Sequence, residues 1–239
     1  MNTPHLTAGS AQPALVPGKL RVYVTKYASD AQRVLMQLEY KKISYDPVYV
    51  NLYNQPQWFV KKSPFGIVPV IELTNGQTIY GSKVIGDYLE ETYPEKKLYP
   101  TDSFSKAQEK TTIEEFSFIE SLIRELYKKE DPALFEKVVA FLDVLNAEYK
   151  KRGKTFLAGD KPGMVDYYFW PIFERFEVLR IIRGDKYVFP SERFTYLFQW
   201  GNIMKKEQSV QAFYLDAETH AKYIKSEIAG TPNFDIRFN

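Results

Sequence analysis

The chain has 239 residues, enough for one large domain or two modest ones. Its 44% hydrophobic and 26% charged content is ordinary for a globular protein, and a net charge of +2 disfavours nucleic acid or an anionic membrane as partner. No apolar run approaches the ~20 residues that span a bilayer. Met1–Gly18 lacks the apolar centre of a signal peptide, and the chain contains no cysteine. Disulfides are therefore excluded, and cytosol is the default compartment.

The predicted elements begin after an N-terminal arm, residues 1–19. Leu20 to Val24 reads as a strand, and Ala31 to Lys41 as a helix with Val34, Leu35 and Leu38 on one face. Tyr45 to Val50 is strand-like, and Pro47 demotes it to an edge because proline donates nothing to the ladder. Ile67 to Leu73 is a β-rich run, Asn75-Gly76 a hairpin turn, and Thr78 to Tyr80 the return strand. Val84, Ile85, Tyr88 and Leu89 then mark one face of a helix. From about Ser105 the texture is helical, in segments near 105–128, 132–151, 165–181, 192–206 and 211–228. The expected organisation is α/β plus all-α: a small α/β domain over 20–98, a linker over 99–107, a helical domain over 108–228 and a tail over 229–239.

Two local features bear on chemistry. Tyr27-Ala28-Ser29-Asp30 joins the first strand to the first helix. A helix N-terminus carries unpaired N–H groups and partial positive charge, so thiol enzymes keep a nucleophile in such a slot; this slot holds Ala28. The second feature is Pro69 within the apolar run Ile67-Val68-Pro69-Val70. It marks either an edge strand or a cis Val68–Pro69 bond that turns the preceding backbone outward toward a ligand.

The stretches NQPQWFVKKSPFGIVPVIE, IYGSKVIGDYLEETYPEKKLYP and MVDYYFWPIFERFE resemble, in that order, the glutathione transferases, and the omega class closely. The arm, with His5-Leu6 and Gly9-Ser10 before Pro13, is similar to that of insect omega members. The resemblance covers residues 20 to about 228. It implies a thioredoxin-like N-terminal domain, a C-terminal helical bundle and a cytosolic homodimer. It also implies glutathione as substrate, a small electrophile or disulfide as second substrate, and no metal. The class activities are thiol transfer, dehydroascorbate reduction and conjugation.

Carried over residue by residue, the resemblance implies a mixture of kept and altered contacts. Ala28 occupies the position of the class cysteine, and Asp30 that of a phenylalanine lining the co-substrate pocket. Val68, before Pro69, is expected to offer backbone N–H and C=O to the cysteinyl part of glutathione. Ser82, at a helix N-terminus, is expected to take the γ-glutamyl carboxylate. Leu52 matches a backbone-lining position. Gln55 replaces a lysine on the glycyl side, and Gly81 a glutamate that pairs with the γ-glutamyl ammonium; Lys83 and Lys26 stand nearby as substitutes. Losing two charged contacts weakens glutathione by about 3–6 kcal/mol. Arg175 is a co-substrate pocket candidate between the domains.

Three functional readings follow. The first is an omega-class homologue with a degenerate glutathione site and weak or lost activity. The second is an active transferase using a hydroxyl such as Ser29, whose plainer role is helix capping. The third is a non-catalytic binding protein. Asp166 is expected to serve a helix start three residues after Gly163. The tail carries Phe234, Ile236, Arg237 and Phe238, and is either a mobile end or a cover for the cleft between domains.

Overall fold

The computed structural model describes residues 3–236 and divides into two compact units. One holds the chain up to Lys96 together with the segment from Pro232; the other is Lys97–Thr231.

The N-terminal unit is built on β1 (Leu20–Val24), α1 (Ser29–Lys41), β2 (Tyr45–Tyr49), β3 (Val70–Glu72), β4 (Thr78–Tyr80) and α2 (Ser82–Thr92). The sheet order is β2-β1-β3-β4, with β1 parallel to β2 and the other pairs antiparallel. Every residue of β1 is buried, which accounts for its unbroken apolar reading. Pro47 sits on the edge strand opposite Val22, as its missing N–H requires. The expected β-rich run from Ile67 joins the ladder only from Val70, because Val68–Pro69 is cis and redirects the backbone just before it. The hairpin turns at Gly76, with φ +83°.

The arm is stitched to this unit. Leu6 N–H donates to the Tyr49 carbonyl at 2.8 Å and its own carbonyl accepts from Asn51, a parallel bridge beside β2. The Trp58 indole donates to Ser10 O at 2.9 Å, and the buried Arg21 guanidinium holds Pro13 O and Asp46. Tyr23, Val48, Val50, Phe59, Val68 and Val70 form a core cluster, with Leu6, Ala28, Leu52 and Trp58 packed on it.

The second unit is helical: α3 (Ser103–Lys128), α4 (Pro132–Arg152), α5 (Met164–Phe173), α6 (Phe176–Arg183), α7 (Thr195–Met204), the single turn α8 (Gln208–Gln211) and α9 (Ala217–Ile228). Asp102, Asp131 and Asp216 cap α3, α4 and α9 by accepting from N–H groups three residues on. The Asp102 cap starts α3 within the stretch expected to be linker.

The continuous helix expected over 165–181 is instead two helices. At the break the Arg175 N–H turns to Ile172 O, a tightened final turn, while its guanidinium takes the Pro171 carbonyl at 2.7 Å. The core is aromatic: Phe116 stacks on Phe169 at 4.5 Å, and Trp200 packs against Phe169, Trp170 and Phe173. No described helix is long and apolar enough to cross a membrane.

Candidate functional site

The loop after β1, the loop after β2, the cis bond and the start of α2 all belong to the N-terminal unit. Ala28 is the N-cap of α1 and makes no side-chain cap bond. This corrects the capping role expected of Ser29, which is instead the first residue inside the helix and only 3% exposed. β1 ends at Val24 as expected, but α1 begins at Ser29, two residues before the expected Ala31, so the cap falls on Ala28.

Among the described residues, neither the N–H nor the C=O of Val68 has a hydrogen-bond partner. With Pro69 cis behind it, this backbone edge is presented as an extended peptide would require. Its side chain is held on the core cluster, so the edge is rigidly backed.

Ser82 opens α2, directly after Gly81 with φ +90° and ψ 124°. Glycine adopts that conformation without strain, and a β-carbon does not. Ser82 Oγ donates to Asp30 Oδ1 at 2.6 Å, and the same oxygen accepts from Arg33 Nη1 at 2.7 Å. Asp30 lies in the first turn of α1, so its carboxylate faces the partial positive ends of two helices, one guanidinium and one hydroxyl. Asp30, expected at a pocket-lining position, is thus also bonded to the serine. Arg33 went unnoticed in the sequence, although its i,i+3 spacing from Asp30 on a helix was a usable signal.

Gln55 is built into the loop structure. Its amide nitrogen donates to Leu52 O at 3.0 Å and Gly66 O at 2.8 Å, tying the loop after β2 to the turn before the cis bond. Gly66 has φ +63°, and a β-carbon there would meet the Gln55 amide at 2.8 Å. Leu52 offers its carbonyl to Gln55 and its side chain to the core. Lys26 is also committed: its side chain is 7% exposed and its ammonium lies 3.9 Å from Asp235. Arg237 and Phe238 of the tail lie outside the described residues.

Arg175 is 7% exposed within the helical unit, its guanidinium on Pro171 O and its carbonyl accepting from the Tyr127 hydroxyl at 3.3 Å. Burial lowers its pKa. Asp166 is fully buried and does more than the weakened cap expected of it. Its carboxylate accepts from the N–H groups of Gly163, Leu157 and Ala158 and from the Trp200 indole, at 2.7–3.1 Å. Those donors tie the turn before α5 to α7. Burial raises its pKa to about 6 against the pull of the four donors. His220, buried in the same unit, pairs through Nε2 with Glu174 Oε1 at 2.8 Å, and burial lowers its pKa to about 4. Among the described residues no three His, Asp or Glu side chains are grouped to hold a metal.

The family model described as glutathione S-transferase, N-terminal domain matches residues 24–97, and that for the C-terminal domain matches residues 113–200. Pyrimidodiazepine synthase of Drosophila melanogaster is 35% identical over 239 residues, covering 98% of this chain and 97% of that protein. Glutathione S-transferase omega-1 of Mus musculus is 37% identical over 238 residues, covering 95% and 94%. The crystal structure of glutathione transferase Omega 3C from Trametes versicolor superposes with a TM-score of 0.75 at 25% identity, over 90% of this chain and 94% of that one. With a thioredoxin-like unit carrying the cis-proline edge and a helical unit following it, the chain belongs to the glutathione S-transferases, in their omega class.

Proposed function

We propose that this omega-class member keeps the outline of a glutathione seat but has lost most of its affinity and its thiol chemistry. The observation that carries the reading is the 2.6 Å bond from Ser82 to Asp30. The hydroxyl and helix end that would meet the γ-glutamyl carboxylate already hold a carboxylate of the protein. A ligand must break that bond and then sit beside a like charge. Ala28 removes the nucleophile, and Gly81 and Gln55 supply no charge for the tripeptide's other ends. The open Val68 edge supports residual, backbone-mediated binding of glutathione or a peptide of similar form. Catalysis by Ser29 is disfavoured by its burial in the first turn of α1.

The protein is read as a cytosolic homodimer. Exposed Phe65 and Tyr80, their rings 6.0 Å apart, give the N-terminal unit an apolar pair that suits contact with a second copy. Calorimetric titration with glutathione tests the reading. We expect no saturation below a concentration on the order of 1 mM and no detectable glutathione-dependent disulfide reduction. Micromolar binding, or thiol transfer at the rate of cysteine-bearing relatives, would sink it.

A further inference from the structure

The helical unit contains an aromatic pocket that takes no part in the glutathione seat. It encloses about 470 Å³ and is lined only by residues between Trp170 and Tyr214. That volume suits a small organic molecule. The walls come from the end of α5, the start of α6, the segment 188–192 and α7. Four phenylalanines dominate them. The Phe173 ring lies 5.1 Å from Phe176 and 5.4 Å from Phe198, and Phe176 lies 4.3 Å from Phe189. The break between α5 and α6 sets Phe173 and Phe176 on either side of one turn. Gly201 of α7 lines the same pocket, and its missing β-carbon lets the Phe173 ring pack directly on the helix backbone.

Four charged side chains line the pocket: Glu174, Glu177, Glu192 and Lys205. Glu174 is buried and satisfied, accepting from the Trp170 indole at 2.6 Å and the Leu215 N–H at 3.3 Å and pairing with His220 at 2.8 Å. Glu177 is paired with Arg180. The Lys205 ammonium donates to the Tyr214 hydroxyl at 3.0 Å and lies 4.3 Å from the centre of that ring. Glu192 is exposed, and among the described residues its carboxylate has no partner. Three carboxylates thus face one ammonium, and that ammonium is already engaged. Aromatic faces carry negative charge density, so walls and carboxylates attract the same kind of ligand, a cation. The seating of Lys205 on Tyr214 is an instance of this preference within the protein itself.

We propose that this pocket binds a cationic aromatic amine, with its ring system among Phe173, Phe176 and Phe198 and its ammonium toward Glu192. A neutral ring gains apolar burial alone. An anion meets the carboxylates and finds its one counter-charge taken. The inference is independent of the function proposed above, since none of these residues belongs to the glutathione seat.

Calorimetry with three probes of one shape tests it: naphthylmethyl-trimethylammonium, naphthylmethanol and naphthylacetate. The cation should bind with a Kd on the order of 0.1 mM, at least about tenfold tighter than either of the others. Excess glutathione should not displace it. Glu192→Lys, at an exposed position, should weaken the cation at least about fivefold and change the alcohol less than about twofold. Phe198→Leu keeps an apolar side chain but removes a ring face, and should weaken the cation about threefold or more. No binding of the cation, equal affinity for the three probes or a preference for the anion would overturn the proposal. Displacement by glutathione would do the same, as would a cation affinity that is unchanged in Glu192→Lys or falls only as far as that of the alcohol. Should Phe198→Leu fail to fold, as judged by circular dichroism, Glu192→Lys decides alone.

Discussion

Replacing Asp30 by alanine should tighten the binding of glutathione. In the wild-type protein Ser82 and Arg33 both donate to Asp30 Oδ1, at 2.6 and 2.7 Å. A hydrogen bond to a charged group contributes about 1.5–3 kcal/mol, and two like charges ~4 Å apart near a protein surface repel by up to about 4 kcal/mol. The Asp30 side chain is 43% exposed and its charge is balanced by Arg33. Solvent and the guanidinium therefore remove much of the repulsion, leaving the regained bond from Ser82 as the larger effect. Asp30→Ala should tighten glutathione by about 1.5–3 kcal/mol, or roughly 10- to 150-fold in Kd. Calorimetry at fixed pH and low salt reads the change.

The double-mutant cycle with Ser82→Ala locates the effect. In the wild-type background Ser82→Ala should scarcely alter binding, since the hydroxyl is already taken; in the Asp30→Ala background it should reverse most of the gain. Equal Kd values for wild type and Asp30→Ala, within twofold, would refute the reasoning. So would an equal cost of Ser82→Ala in both backgrounds.

Two further outcomes concern the helical unit. His220 is held near 4, below its ordinary 6.5, so the stability it contributes is present above 6.5 and lost as pH falls through 4. Asp166 is raised to about 6 from 3.8, so its contribution is present below 3.8 and lost as pH rises through 6. The two oppose each other between those limits. Asp166→Asn should therefore steepen the acid loss by about 2–3 kcal/mol, read from urea midpoints at about pH 7 and pH 4.5; profiles parallel to wild type would contradict this balance. Gly201→Ala should destabilise by about 1–3 kcal/mol, because a β-carbon there would lie 2.1 Å from the Phe173 ring. Thermal unfolding should show a Tm lowered by ~2–4 °C per kcal/mol, with Phe173→Leu restoring part of it; an unchanged Tm would count against that contact.

Local patterns announced what local physics controls. The β-α-β start, the edge placement of Pro47, the Gly76 turn and the start of α2 at Ser82 are all set by neighbours within a few residues, and all were legible. The resemblance to a known class favoured the cis reading of Val68–Pro69, which the structure has. What sequence could not supply were pairings made across the chain. Ser82 and Asp30 are separated by 52 positions and His5 and Asp235 by 230, so no periodicity links them. The break between α5 and α6 was hidden for a related reason: the Arg175 guanidinium competes for a carbonyl at Pro171, and side-chain competition leaves no mark on hydrophobic spacing. Ser29 shows the reverse error, a good capping residue displaced by one position because the turn ends at Ala28.

The stitch from Gln55 to Gly66 makes position 55 part of the loop's own structure. A lysine placed there would abandon two carbonyls and release the loop that carries it. A glutamate placed at position 81 would meet a backbone at φ +90°. Either charge therefore carries a structural cost, and a design that introduces one must first secure the loop or the turn by other means.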